Sequence, residues 1–139
     1  MGRYCQAVLR MRVLLATDGK PHSEKAVSYA LDYAKRFGAD LFIVYVVSPR
    51  SGEVREKVTA NGMKVLEELK ARALGQGLSV TTLLEAGSPH EATLAAAERI
   101  GADAIVVGTS GKTTMDRVLI GSVSEYVVRN ARCTVIVVR

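Results

Sequence analysis

Short apolar runs alternate along this chain with stretches whose apolar residues recur every three or four positions. That alternation leaves few folds open. The runs are residues 12–17 (RVLLAT), Asp40–Val47 (DLFIVYVV), residues 78–84, Ala104–Gly108 (AIVVG) and Thr134–Val138 (TVIVV). They are short, bounded by turn residues and rich in branched side chains, so they predict strands. Between the first two, Ala26, Val27, Ala30, Leu31, Ala34 and Phe37 share one face of a helix over 23–37, and Gly38 stops it. Helical spacing returns from Glu53 through Val54, Val58, Val65, Leu66, Leu69 and Ala73, until Gly75 and Gly77. Gly62 inside this stretch weakens the helix by about 1 kcal/mol relative to alanine. Ser88 predicts an N-cap, with Pro89 first in the helix and Glu91 completing a capping box. Ser122–Asn130 predicts a last short helix with Val123, Val127 and Val128 inward. Strands apolar throughout, alternating with amphipathic helices, mean an α/β fold: a doubly wound, Rossmann-like open parallel sheet covered on both faces.

The length of 139 residues suits one domain with a proper core. Charged residues at 24% and hydrophobic residues at 48% exclude wholesale disorder. Cys5 and Cys133 are too far apart for a metal or redox CxxC motif. No apolar run is long enough to span a membrane, and residues 1–10 make a poor signal peptide, so a cytoplasmic protein is expected. The excess of 19 basic over 14 acidic residues, a net +5, raises the question of a polyanionic partner.

In open parallel sheets, ligands bind beyond the carboxyl ends of the strands, where strand order reverses. The segment after the fourth strand, GTSGKTTMDRVLIGS over 108–122, is the most informative there. Gly108, Gly111 and Gly121 would let backbone amides approach an anion. A helix starting at Ser122 adds free N–H groups, and Lys112 adds a positive charge. This is a candidate phosphate cradle, although the same glycines also suit a plain strand–loop–helix turn. It is not a P-loop, because the place required for the first glycine holds Val106.

The spacing Gly108-x2-Gly111-x9-Gly121-Ser122 resembles the G-x2-G-x9-G-[S/T] pattern of the universal stress protein family. The Ala16-Thr17-Asp18-Gly19 turn, the Val44-Tyr45-Val46 strand end, the Gly87-Ser88-Pro89-His90-Glu91 helix entry and the last strand are also similar to that family. The likeness spans residues 11–139, whereas residues 1–10 match nothing in it and are expected to be a poorly ordered extension. Met11 is the expected true start. The resemblance implies five parallel strands in order 3-2-1-4-5 and a homodimer formed through Thr134–Val138. It also implies ATP binding, with ADP or AMP as alternatives and Mg²⁺ or Mn²⁺ nearby. Carried over by position, Ala16, Thr17 and Val46 would border the adenine, and Val107 and Gly108 would lie beside the ribose. Gly111, Gly121, Ser122 and the Val123 amide would hold phosphates, with Lys112 beside them. Asp18 would face the ribose–phosphate region and the metal ion. Lys20 stands where many members have serine, and Tyr45 where many have histidine.

Each residue also has a plainer reading. Asp18 could cap its own turn, His22 and His90 could be ordinary surface or core residues, and Lys112 and Arg117 could be solvated. The function implied is an ATP-binding stress-response module whose occupancy alters dimer or partner contacts. A slow Mg²⁺- or Mn²⁺-dependent ATPase or self-phosphorylating protein is the alternative. The motif holds no evident general base or arginine finger, so turnover should be slow. A nucleic-acid partner is not expected, since no helix-turn-helix, zinc or RNA-binding motif is present. Arg3, Arg10 and Arg12 account for three of the five excess charges. The rest of the chain is nearly balanced, which suits a single nucleotide better than a polyanion.

Overall fold

A computed structural model describes residues 10–109 and 122–139. β1 (Arg12–Ala16) passes through a 3-10 turn, Pro21–Ser23, into α1 (Glu24–Phe37). There follow β2 (Asp40–Val47), α2 (Arg55–Gly75), β3 (Val80–Ala86), α3 (Pro89–Ile100), β4 (Ala104–Gly108), α4 (Ser122–Asn130) and β5 (Thr134–Val138). The strands form one parallel sheet in the order β3-β2-β1-β4-β5, as expected.

Side chains alternate between the faces of a strand, so each apolar run feeds two cores. Val13, Leu15, Leu41, Ile43 and Val106 pack on one face with Ala26, Ala30 and Ala34 of α1 and Leu66 of α2. Leu14, Val44, Ile105 and Val107 pack on the other with Ala96 and Ala97 of α3 and Val127 of α4. The chain winds outward from β1 to β3, then returns to β4 on the far side of β1. Right-handed crossovers therefore put α1 and α2 on one face and α3 and α4 on the other. Strand order reverses between β1 and β4.

Several local expectations are corrected. Phe37 is 60% exposed, because α1 ends there and the ring rests on Tyr33 at 4.7 Å between centroids. Val128 is also exposed, since one residue of helical rotation carries it away from buried Val127. Val54 is an exposed N-cap of α2, not part of its apolar face. Ser88 sits at the N-cap of α3 and Pro89 opens the helix, but no side chain caps it. The Ser88 hydroxyl instead lies 3.1 Å from His90 Nδ1. Of the expected extension, only Arg10 lies among the described residues, where it pairs with Asp40 at 3.1 Å.

Gly62 is the most instructive of these differences. A Cβ there would lie 2.6 Å from Cδ1 of the Tyr45 ring. The glycine that weakens α2 as an isolated helix is what lets α2 settle on β2.

Candidate functional site

The candidate site lies at the carboxyl edge of the sheet, where β1 and β4 run side by side. Leu15 is in register with Val106, so β4 runs one residue beyond the end of β1, to Gly108. Ala16, Val46, Val107 and Val123 all join the apolar cluster on the α3/α4 face. The structure thus brings together one residue each from β1, β2, β4 and the first turn of α4. Val107 is 1% exposed, so any contact it offers a ligand comes through its backbone. A Cβ on Gly108 would meet nothing closer than Ala26 Cβ at 3.5 Å, so packing alone does not demand glycine there. Gly111, Lys112, Arg117 and Gly121 lie outside the described residues, as does the side chain of Ser122.

The turn after β1 is built from its own polar side chains. Thr17 is buried, and its N–H donates to Val44 O at 3.2 Å, which anchors the turn to β2. Thr17 Oγ1 accepts from Gly19 N–H at 3.0 Å and meets Ser23 Oγ at 3.1 Å. Ser23 Oγ donates to Lys20 O at 2.7 Å. Gly19 has φ +74°, and a Cβ on it would come within 2.5 Å of Val65. Positive φ and close approach both require glycine there.

Asp18 is exposed on this turn, with both carboxylate oxygens engaged. Oδ1 accepts the Lys20 N–H at 2.9 Å, and Oδ2 lies 2.9 Å from His22 Nε2. Asp18 thus caps its own turn through the Lys20 amide, and its carboxylate is exposed to solvent. His22 is the residue that sequence reasoning passed over. The signal was its position four residues after Asp18, although it lies on a 3-10 turn and not on the α-helix that usually gives such spacing meaning.

On the α3/α4 side of the same edge, the His90 ring packs on Tyr126 at 4.6 Å between centroids. On the opposite face, a cleft of about 280 Å³ lies between α1 and α2, lined in part by Gly19, Lys20, Glu68 and Arg72. Neither Asp18 nor Val46 lines that cleft.

The donor set constrains what could bind. Among the described residues, no group of three or more His, Cys, Asp or Glu is placed to hold a metal ion. The exposed Asp18 carboxylate is the acidic group of this edge that could contribute to holding a hard divalent ion. Partly buried apolar side chains beside one exposed carboxylate would suit a flat base joined to a polar sugar phosphate.

The sequence model described as the universal stress protein family matches residues 10–139. The chain belongs to the universal stress protein family. A universal stress protein of Methanocaldococcus jannaschii is 35% identical over 141 residues, covering 94% of this chain and 83% of the relative. A solved universal stress protein in complex with cAMP is 28% identical, with a TM-score of 0.74 over 93% of this chain and 97% of that one. A universal stress protein of Archaeoglobus fulgidus in complex with dAMP has a TM-score of 0.75 at 21% identity, over 95% of this chain and 100% of that one, and shows the shared fold. Within this universal stress protein, Tyr45 is a buried wedge beneath α2 and accepts a hydrogen bond from Asn61 Nδ2 at 3.2 Å. Among the described residues no helix is long and apolar enough to cross a membrane.

Proposed function

We propose that this universal stress protein binds an adenine nucleotide at the carboxyl edge of β1 and β4, and that occupancy alters its contacts with a second copy or a protein partner. One observation carries this reading: Ala16, Val46, Val107 and Val123 share one apolar cluster beside the exposed Asp18 carboxylate. The cAMP complex of a solved relative supports the ligand class. The base would lie against Ala16, Thr17 and Val46, and the ribose against the backbone of Val107 and Gly108. Phosphates would reach the amides of Gly111, Gly121, Ser122 and Val123, where the N-terminus of α4 favours negative charge. Lys112 adds charge to that end. ATP is the ligand proposed, with ADP and AMP as shorter alternatives, and Asp18 would hold a Mg²⁺ or Mn²⁺ ion bound with it. The metal, when bound, offsets phosphate charge.

The role is binding, with slow hydrolysis at most. The glycine motif over 108–122 holds no evident general base or arginine finger for phosphoryl transfer. The dimer would form through β5, the last strand in the order, whose outer edge is paired by no strand among the described residues.

Equilibrium binding of labelled ATP and AMP to nucleotide-free protein tests the proposal. Saturable binding below millimolar concentration is expected, and none near millimolar would contradict it. Asp18→Ala should weaken Mg²⁺–ATP by about tenfold or more, from the ~1.5–3 kcal/mol of a hydrogen bond to a charged group. Gly121→Val should abolish phosphate binding by blocking the backbone approach.

A further inference from the structure

We infer that His22 is a positioning residue of the nucleotide site, holding the Asp18 carboxylate in the orientation that meets the ligand. This rests on the nucleotide reading above and adds a residue to it. A carboxylate only accepts hydrogen bonds, so the 2.9 Å contact to Asp18 Oδ2 requires a proton on His22 Nε2. The other oxygen is fixed by the Lys20 N–H at 2.9 Å. With one donor on each oxygen, the carboxylate has a single settled plane and keeps its remaining lone pairs for a ribose hydroxyl or a metal ion.

The histidine is itself held. Pro21 restricts the backbone just before it, and Ser23 just after it is buried and bonded to both Thr17 Oγ1 and Lys20 O. The turn from Thr17 to Ser23 is therefore closed on itself before any ligand arrives. Without His22, Asp18 keeps only its bond to the Lys20 amide, and its outer oxygen is free to turn into solvent. Preorganisation of this kind raises affinity by removing an ordering cost at binding.

The test compares Mg²⁺–ATP binding by the intact chain, His22→Ala, His22→Gln, Asp18→Ala and the double variant with alanine at both positions. Glutamine places an N–H donor the same number of bonds from the backbone. His22→Ala should weaken binding by about threefold to fivefold, the scale of an exposed charge-assisted contact. His22→Gln should restore most of that loss. In the Asp18→Ala background, removing His22 should cost nothing further. Nitrogen NMR of the ligand-free protein should find the His22 ring proton on Nε2. Binding by His22→Ala equal to the parent overturns the inference alone and leaves the nucleotide site standing. So does a loss that glutamine does not restore, a loss undiminished without Asp18, or an Nε2 that carries no proton. Absence of binding by the intact chain removes the nucleotide reading and takes this inference with it.

Discussion

At the scale of single residues, small side chains decide how closely elements meet. Gly62 lets the Tyr45 ring lie against α2, and a methyl group there would approach it to 2.6 Å. Alanine gains about 1 kcal/mol of helix propensity but forces overpacking worth roughly 1–3 kcal/mol. Gly62→Ala is thus expected to lower stability by up to about 2 kcal/mol in urea unfolding. A gain near 1 kcal/mol would show that the ring moves aside freely. Cys133 gives a second residue-level prediction. Burial pushes its thiol above the usual range, and the nearby Asp103 charge pushes it further. Its thiolate fraction at pH 7 should fall below that of a free cysteine, so native alkylation at Cys133 should be slower than that of a cysteine peptide. Equal rates would contradict this. The residues that sequence reasoning misjudged share a cause. Phe37 and Val128 were read from helical spacing and Gly62 from helix propensity, and neither gives where the helix ends or what the neighbouring element presents.

At the scale of elements, α1 and α2 cover one sheet face and are tied together by a polar clamp. Arg72 donates to Glu24 at 3.0 and 2.6 Å, and Ser28 donates to Glu24 at 2.9 Å. The Arg72 hydrogen bond, then the one from Ser28, holds the Glu24 carboxyl below its usual value of 4.5. A carboxyl depressed in the folded state stabilises it above the unfolded pKa, and the effect fades as pH falls through the folded value. The pair is largely solvent-exposed, so its worth is at most about 1 kcal/mol. Glu24→Gln should destabilise by up to that amount at pH 7, and the difference from the parent should vanish in strong acid. A constant difference at all pH values would assign the effect to packing. The elements themselves were legible because strand and helix periods differ sharply, and boundaries moved by only one or two residues. Leu78, read as the start of the third strand, is instead a buried residue two positions before β3.

At the scale of the molecule, topology places the candidate site. The reversal of strand order between β1 and β4 sets the end of β1 at Ala16 beside the end of β4, one residue short of Gly108. Parallel direction was legible, since continuous apolar strands require cover on both faces and crossovers are right-handed, whereas the strand order was implied only by the family resemblance. Ala16, Val46, Val107 and Gly108 were legible as residues at the ends of strands. The bond between Asp18 and His22 was not, because it depends on how one turn folds onto itself. β5 closes one end of the sheet, and pairing of two copies there would give a mass twice 14.9 kDa in sedimentation equilibrium. A single-chain mass at micromolar concentration would contradict that arrangement. The central claim concerns where a nucleotide sits, and amide NMR during titration with AMP tests it most directly. Shifts are predicted to concentrate at Ala16, Thr17, Asp18, Val46, Gly108 and Val123. Shifts confined to Lys20, Glu68 and Arg72 around the α1–α2 cleft, or no shifts at millimolar AMP, would contradict it.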